Sequence, residues 1–379
     1  MFLSSTRKIL VFSAGLGCVA AAWVPQVLAR ADWLRKRASA QEVERAIRLE
    51  PGHPYGYTLR AELFEHSGQL AEAEKAWRDS LRINPRDAEA WMRTAVLAER
   101  RGDAAESERC FLRAAEASST WLPRWALVNF YARQGRQADV WKWSRLAFER
   151  ASMDDVDGLF AVLEAEGAAS GFVLRELLPP GDPRLAGALV RRIAAKGPQS
   201  VGEGSGTVLE AASRCGKGER DLLLNAVDWL LDGGQGETAV RLWDVLRARK
   251  IVEGEGWSAE RPVLNSRFER TPLGAGLDWR LAKGEGVEIA MGGRELRVEL
   301  NGKQPESVDL VLQRLVLPRG AGSYRVEAEG EMEGLKEGCG LEWVVRDGWL
   351  VLRYRRPMGQ VRAEGVARFR GVRIVGQGG

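Results

Sequence analysis

The scarce reactive residues of this 379-residue chain are four cysteines and two histidines, and their spacing argues against most of the chemistry such groups perform. Cys18, Cys110, Cys215 and Cys339 lie far apart with no CxxC pair, and His53 and His66 are the only imidazoles. A structural zinc site needs clustered Cys or His ligands, and a nucleophilic triad needs a histidine with partners. No metal, cofactor or catalytic residue is therefore assigned. Glycoside hydrolysis needs only two carboxylates flanking a cleft, which Asp278, Glu306, Glu342 and Glu364 could supply. No spacing singles out a pair, and acidic residues at strand ends are usually solvated. The run Gly202-Glu203-Gly204-Ser205-Gly206-Thr207 has a phosphate-loop composition but lacks the GK[ST] ending and a preceding apolar strand. It reads as an ordinary loop. Lys and Arg exceed Asp and Glu by four, giving a net charge of +4, and no long basic run occurs. Nucleic acid is not an expected partner.

The elements that position the remaining side chains begin with a targeting segment. Arg7 and Lys8 precede an uncharged stretch, residues 9–29, long enough for a helix to cross a hydrocarbon core. An uncleaved anchor is the favoured reading. A cleaved signal competes with it, because Ala29-Arg30-Ala31 has the small-x-small form of a signal peptidase site. A lipoprotein signal at Gly17-Cys18 fits less well, since Gly15 stands where a lipobox expects Leu. The basic residues Arg30, Arg35, Lys36 and Arg37 would hold the following flank in the cytoplasm, whereas the C-terminal domain favours export. Residues 1–31 are thus a signal peptide or transmembrane anchor.

Residues 32–150 are organised by repetition. Pro51 and Pro85, Tyr57 and Trp91, Ala61 and Ala95, Gly68 and Gly102, and Trp77 and Phe111 are each separated by 34 residues. Aromatic and small residues on a first helix pack against small and large residues on a second, glycine makes the turn, and proline ends the hairpin. A third, shifted copy runs through Val128, Tyr131, Gly135, Val140, Ser144 and Ala147, and Val43, Ala46 and Pro51 fit the second helix of a truncated first hairpin. The pattern resembles the tetratricopeptide (TPR) superfamily. Trp77, Trp91 and Phe111 are expected in the core rather than on a ligand surface. The resemblance implies a concave ligand face built from the first helices, which falls here on Thr58, Glu62, His66, Met92, Val96, Arg100, Trp125, Asn129 and Arg133. Arg100, Asn129 and Arg133 would donate hydrogen bonds to a carboxylate or backbone of a protein partner.

Residues 151–258 continue as a divergent helical solenoid, with helical patterns at 156–165, 183–195 and 221–249. Near Arg261-Pro262 the period changes to two, and alternating runs at 287–291, 295–300, 308–317, 323–329, 341–346, 350–355 and 366–375 predict an antiparallel β-sandwich over 262–379. Leu264-Asn265-Ser266-Arg267-Phe268-Glu269, Asp278-Trp279-Arg280, Gln313-Arg314-Leu315-Val316-Leu317-Pro318 and Tyr324 follow an order similar to the jelly-roll carbohydrate-binding modules of secreted bacterial enzymes. A short span between Leu341-Glu342-Trp343 and Leu352-Arg353-Tyr354 departs from that pattern and would open one sandwich edge. From the residues themselves, Asp278-Trp279-Arg280 and Gln313 read as a core tryptophan with polar supports. Sugar-binding faces offer rings and hydrogen-bonding groups, and the candidates are Trp343, Trp349, Tyr354, Arg356 and Arg362. Trp349, after Asp347-Gly348 at a turn, is the ring expected to be exposed.

The expected fold is α+β multidomain, an N-terminal α-solenoid of TPR hairpins followed by a jelly-roll-like antiparallel β-sandwich. The layout also resembles bacterial TPR proteins associated with surface or exopolysaccharide assembly. It implies a non-enzymatic envelope scaffold with a protein partner in the TPR groove, a polysaccharide partner for the sandwich, and a membrane contact through the N-terminal segment. Two alternatives stand beside it, a glycan-processing accessory enzyme and a cytoplasm-facing TPR adaptor.

Overall fold

The computed structural model describes residues 39–317, 324–335 and 339–376. The apolar stretch 9–29 lies outside them. Among the described residues, no helix is long and apolar enough to cross a membrane. The chain divides into two compact units, one ending at Arg150 and the other running from Ala151 to Gly379.

The first unit is a row of antiparallel helices: α1 (Ala40–Leu49), α2 (Pro54–His66), α3 (Leu70–Ile83), α4 (Ala88–Arg100), α5 (Ala104–Ala117), α6 (Trp121–Arg133) and α7 (Gln137–Phe148). Local chemistry starts them. Ser39 and Glu42 form a reciprocal capping box on α1, and Asp87 and Asp103 accept the N–H of Ala90 and Glu106, each at 3.0 Å, at the starts of α4 and α5. Gly68, Gly102 and Gly135 end the first helix of each hairpin with φ of 73°, 85° and 65°, a backbone that residues with a Cβ rarely adopt.

The 34-residue spacing is repeated in contacts as well as in residue types. Tyr57 Oη donates to Pro51 O at 3.1 Å, and one period later Trp91 Nε1 donates to Pro85 O at 2.9 Å. Both rings are half-buried, with their polar ends tied to the proline turn. Ala61, Ala95, Trp77 and Phe111 are buried, as are all the named residues of the shifted third copy except Gly135. Alanine at 61 and 95 lets paired helices approach closely while Trp77 and Phe111 fill the space between hairpins.

The second unit combines helices and sheets. Its helices are α8 (Val156–Ala165), α9 (Ser170–Phe172, running into a π turn Val173–Leu177), α10 (Pro183–Ala195), α11 (Pro198–Glu203), α12 (Ser205–Arg214), α13 (Arg220–Asp232) and α14 (Gly236–Ala248). One sequence expectation is corrected here. Residues 202–207 belong to α11 and α12 apart from Gly204 at their junction, because Val201 and Val208 on either side are pulled into the core. Residues 221–249 form two helices joined at Gly233-Gly234, where Gly234 at φ 72° reverses the chain.

The strands β1 (Trp279–Leu281), β2 (Val287–Gly292), β3 (Glu295–Asn301), β4 (Ser307–Arg314), β5 (Tyr324–Glu333), β6 (Leu341–Arg346), β7 (Trp349–Arg355) and β8 (Glu364–Gly376) form two four-stranded antiparallel sheets, ordered β1-β4-β7-β6 and β2-β3-β8-β5. One apolar core takes Leu310, Leu350 and Leu352 from the first sheet and Leu296, Val298 and Phe369 from the second. The alternation in these strands places those side chains inward. The short span before Leu352 is a tight hairpin: Asp347 and Gly348 have φ of 48° and 75°, which suits a two-residue turn, and β6 becomes the edge of its sheet. β1 was not expected from the sequence, because three residues carry too little alternation to register.

Candidate functional site

The repeat face named from the sequence combines apolar and charged side chains within the first unit. Thr58, Glu62 and His66 follow one another at four-residue steps on α2, Met92, Val96 and Arg100 on α4, and Trp125, Asn129 and Arg133 on α6, so each trio shares a helix face. Val96 is 38% exposed, an apolar side chain left at the surface of α4. Trp125 is half-buried and stacks on Trp121, with ring centres 5.5 Å apart and planes 11° from parallel.

The donors divide into committed and uncommitted ones. Arg133 grips Glu99 with two hydrogen bonds of 2.8 Å, a bidentate pair linking α6 to α4. Asn129 Nδ2 is turned back to Trp125 O at 2.9 Å, and Thr58 Oγ1 lies 3.2 Å from Ser80 Oγ. His66 Nδ1 is 2.9 Å from Glu62 O. Arg100 has no ion-pair partner among the described residues, and it is exposed at the end of α4. Of the three donors named from the sequence, Arg100 is thus the one whose side chain makes no ion pair or hydrogen bond among the described residues.

Arg100 also borders a cavity of about 510 Å³ that sequence reasoning missed. Leu70, Ala71, Glu74, Lys75, Arg78 and Asp79 of α3 form one wall, and Leu97, Arg100 and Arg101 form the other. Glu74 is buried in it, paired with Arg78 at 2.6 Å and with Arg101. Helical spacing on α3 would have grouped its six residues on one face, but nothing local reports that α4 leaves space beside them.

Tyr354 and Trp349 are placed differently from expectation. Tyr354 is fully buried, its hydroxyl accepting the Ala363 N–H at 3.0 Å, so it is a core residue rather than a surface ring. Trp343 packs inside, with ring centres 5.9 Å from Trp279 and 5.6 Å from Phe369. Trp349 is half-buried and does not stand free at its turn. The guanidinium groups of Arg280 and Arg314 lie 4.8 Å and 4.6 Å from its ring centre. These arginines are themselves paired with Asp228 and Asp232 of α13, so Trp349 belongs to a clasp between helix and sandwich. Arg356 and Arg362 are exposed in the loop between β7 and β8.

The polar supports of the core tryptophan are explicit. Trp279 is fully buried and donates through Nε1 to Asn265 O at 3.2 Å. Gln313 accepts the Leu264 N–H at 3.2 Å and donates to Leu264 O at 2.8 Å. Burial raises the Asp278 carboxyl above its ordinary range, while the N–H groups of Trp279 (2.8 Å) and Leu273 (3.1 Å) act against that rise. Glu306 pairs with Arg356 at 2.7 Å, and Glu342 and Glu364 are exposed.

No protein-family model matches the chain, and no curated protein matches its sequence. Among solved structures, YrrB, described as a TPR protein with an unusual peptide-binding site, aligns with 57% of this chain and 96% of its own at 14% identity and a TM-score of 0.27. PilW, a type IV pilus biogenesis factor, aligns over 56% of this chain and 85% of its own at 17% identity and a TM-score of 0.26. Yeast Tom70 aligns over 55% and 39% at 13% identity and a TM-score of 0.32.

Proposed function

We propose that the chain is a non-enzymatic scaffold of the cell envelope whose repeat face holds an extended or helical segment of a protein partner. One observation carries this reading: exposed Val96 and half-buried Met92 share a face of α4 with Arg100, a cation with no ion-pair partner among the described residues, and half-buried Trp125 lies on α6. Apolar anchors beside one available charge are what a peptide with an acidic residue requires. Recognition is assigned to the helical unit, because the three sandwich rings proposed for sugar are committed to the core or to the clasp.

A photo-crosslinking residue placed at Val96 in the full chain, expressed in its own cells, should yield adducts that the same residue at exposed Glu72 does not. Arg100→Glu should lower their yield about tenfold, the loss of roughly 1.4 kcal/mol from one charge-assisted contact. Equal adducts at both positions, or a yield indifferent to Arg100, would refute the groove reading.

The envelope placement rests on the apolar stretch 9–29 and on the sandwich's resemblance to secreted modules. Protease added to intact spheroplasts should digest the folded units. Protection until the inner membrane is lysed would instead place them in the cytoplasm, the side indicated by Arg30 to Arg37.

A further inference from the structure

The loop joining β7 to β8 combines a rigid base with an apolar tip, and its construction points to a use. Its base is fixed at three places. Arg356 N–H donates to Glu306 O at 2.8 Å, the hydroxyl of buried Tyr354 accepts the Ala363 N–H at 3.0 Å, and buried Gln304 donates through Nε2 to Ala363 O at 2.7 Å. Between these ties, Gln360 N–H donates to Pro357 O at 3.2 Å, with Gly359 at φ 75°. That is a type II turn, with glycine where a positive φ is needed and Met358 at its outer corner. Met358 is 102% exposed and Val361 is 88% exposed. Single exposed aliphatic residues are common, but these two cap one protrusion whose base is held in place.

The charges around the tip are mainly positive. Arg355, Arg356 and Arg362 are exposed on its two sides, and Lys303 is exposed on the neighbouring β3–β4 loop. Against them stand Glu306, which pairs with Arg356, and exposed Glu364 at the start of β8. Arg355 and Arg362 have no ion-pair partner among the described residues. A convex apolar tip ringed by cations fits a soft surface that offers anionic groups above hydrocarbon. We infer that this loop is a membrane-contact loop: Met358 and Val361 enter the interfacial region of an anionic bilayer, while Arg355 and Arg362 bind lipid phosphates. The inference stands apart from the partner groove and from the N-terminal stretch, since it uses only residues of the sandwich.

A local probe tests it without interference from a tether elsewhere in the chain. Met358→Cys in the full chain, with Cys18→Ser and the buried cysteines retained, is labelled with an environment-sensitive fluorophore and mixed with vesicles. Phosphatidylcholine vesicles containing phosphatidylglycerol should shift the emission to the blue. A label at Arg325→Cys, on β5 beside the far end of β8, should not respond. Arg355→Gln and Arg362→Gln should each reduce the inserted fraction roughly five-fold at limiting anionic lipid. Moving the label to Gln360→Cys and adding Met358→Asp and Val361→Asp should abolish the shift. Unchanged emission on anionic vesicles overturns the inference even where the protein co-sediments, as do an equal shift on pure phosphatidylcholine and a shift produced by soluble polysaccharide alone.

Discussion

Cys110 and Cys215 are buried, and burial pushes each thiol up to about 12. A thiol that stays protonated is a poor nucleophile, so these residues act as small core side chains. Iodoacetamide at pH 8 should leave both unmodified in the native protein and alkylate both after denaturation, as read by mass spectrometry. Trp349 shows how burial reassigns a side chain. The Asp347-Gly348 turn was legible in the sequence, but the arginines that cover the ring come from β1 and β4, and their acidic partners come from α13. Trp349→Ala should destabilise the second unit by about 2 kcal/mol, a sum of two cation–π contacts and lost ring packing. Thermal unfolding of the full chain checks this, and an unchanged transition would return Trp349 to the list of free surface rings.

At the scale of elements, the repeat register makes a quantitative prediction. Ala61 and Ala95 are fully buried where paired helices meet, whereas Glu72 is exposed on α3. Ala61→Leu and Ala95→Leu should each cost roughly 1–3 kcal/mol through overpacking, and Glu72→Leu should cost little. Equal melting temperatures for the three variants would reject the register. The hairpins were readable because each repeat writes the same roles at the same spacing, and glycine, proline and aromatic residues report them directly. The helices of residues 198–214 were harder, since three glycines in a short stretch lower helix propensity and only burial of Val201 and Val208 offsets it.

At the scale of the whole molecule, residues 151–379 form one compact unit. Asp228 accepts the Gly276 N–H at 3.1 Å and pairs with Arg280, Trp257 Nε1 donates to Val316 O at 3.2 Å, and Glu255 accepts the Asn265 N–H at 2.8 Å. Gly276, at φ 63°, lies so close to Trp243 that an added Cβ would sit 2.8 Å from its ring. Residues 151–379 should therefore unfold in a single transition. The isolated stretch 262–379 should show a weaker near-ultraviolet circular dichroism signal and a lower midpoint, and equal midpoints would show that the sandwich is independent.

The sequence by itself determined the helical repeats, the change from helix to strand near residue 262, most of the strand positions and the helices that carry Val96, Trp125 and Arg100. These follow from periodicity and turn chemistry, which are local and written in residue order. Tertiary structure decided which of those side chains remain available. Arg133 is taken by Glu99, Tyr354 by the core, and Trp349 by a clasp whose parts lie up to 121 positions away in the chain, from Asp228 to Trp349. Exposure and charge pairing depend on neighbours that folding brings together from distant segments, and no local pattern encodes them.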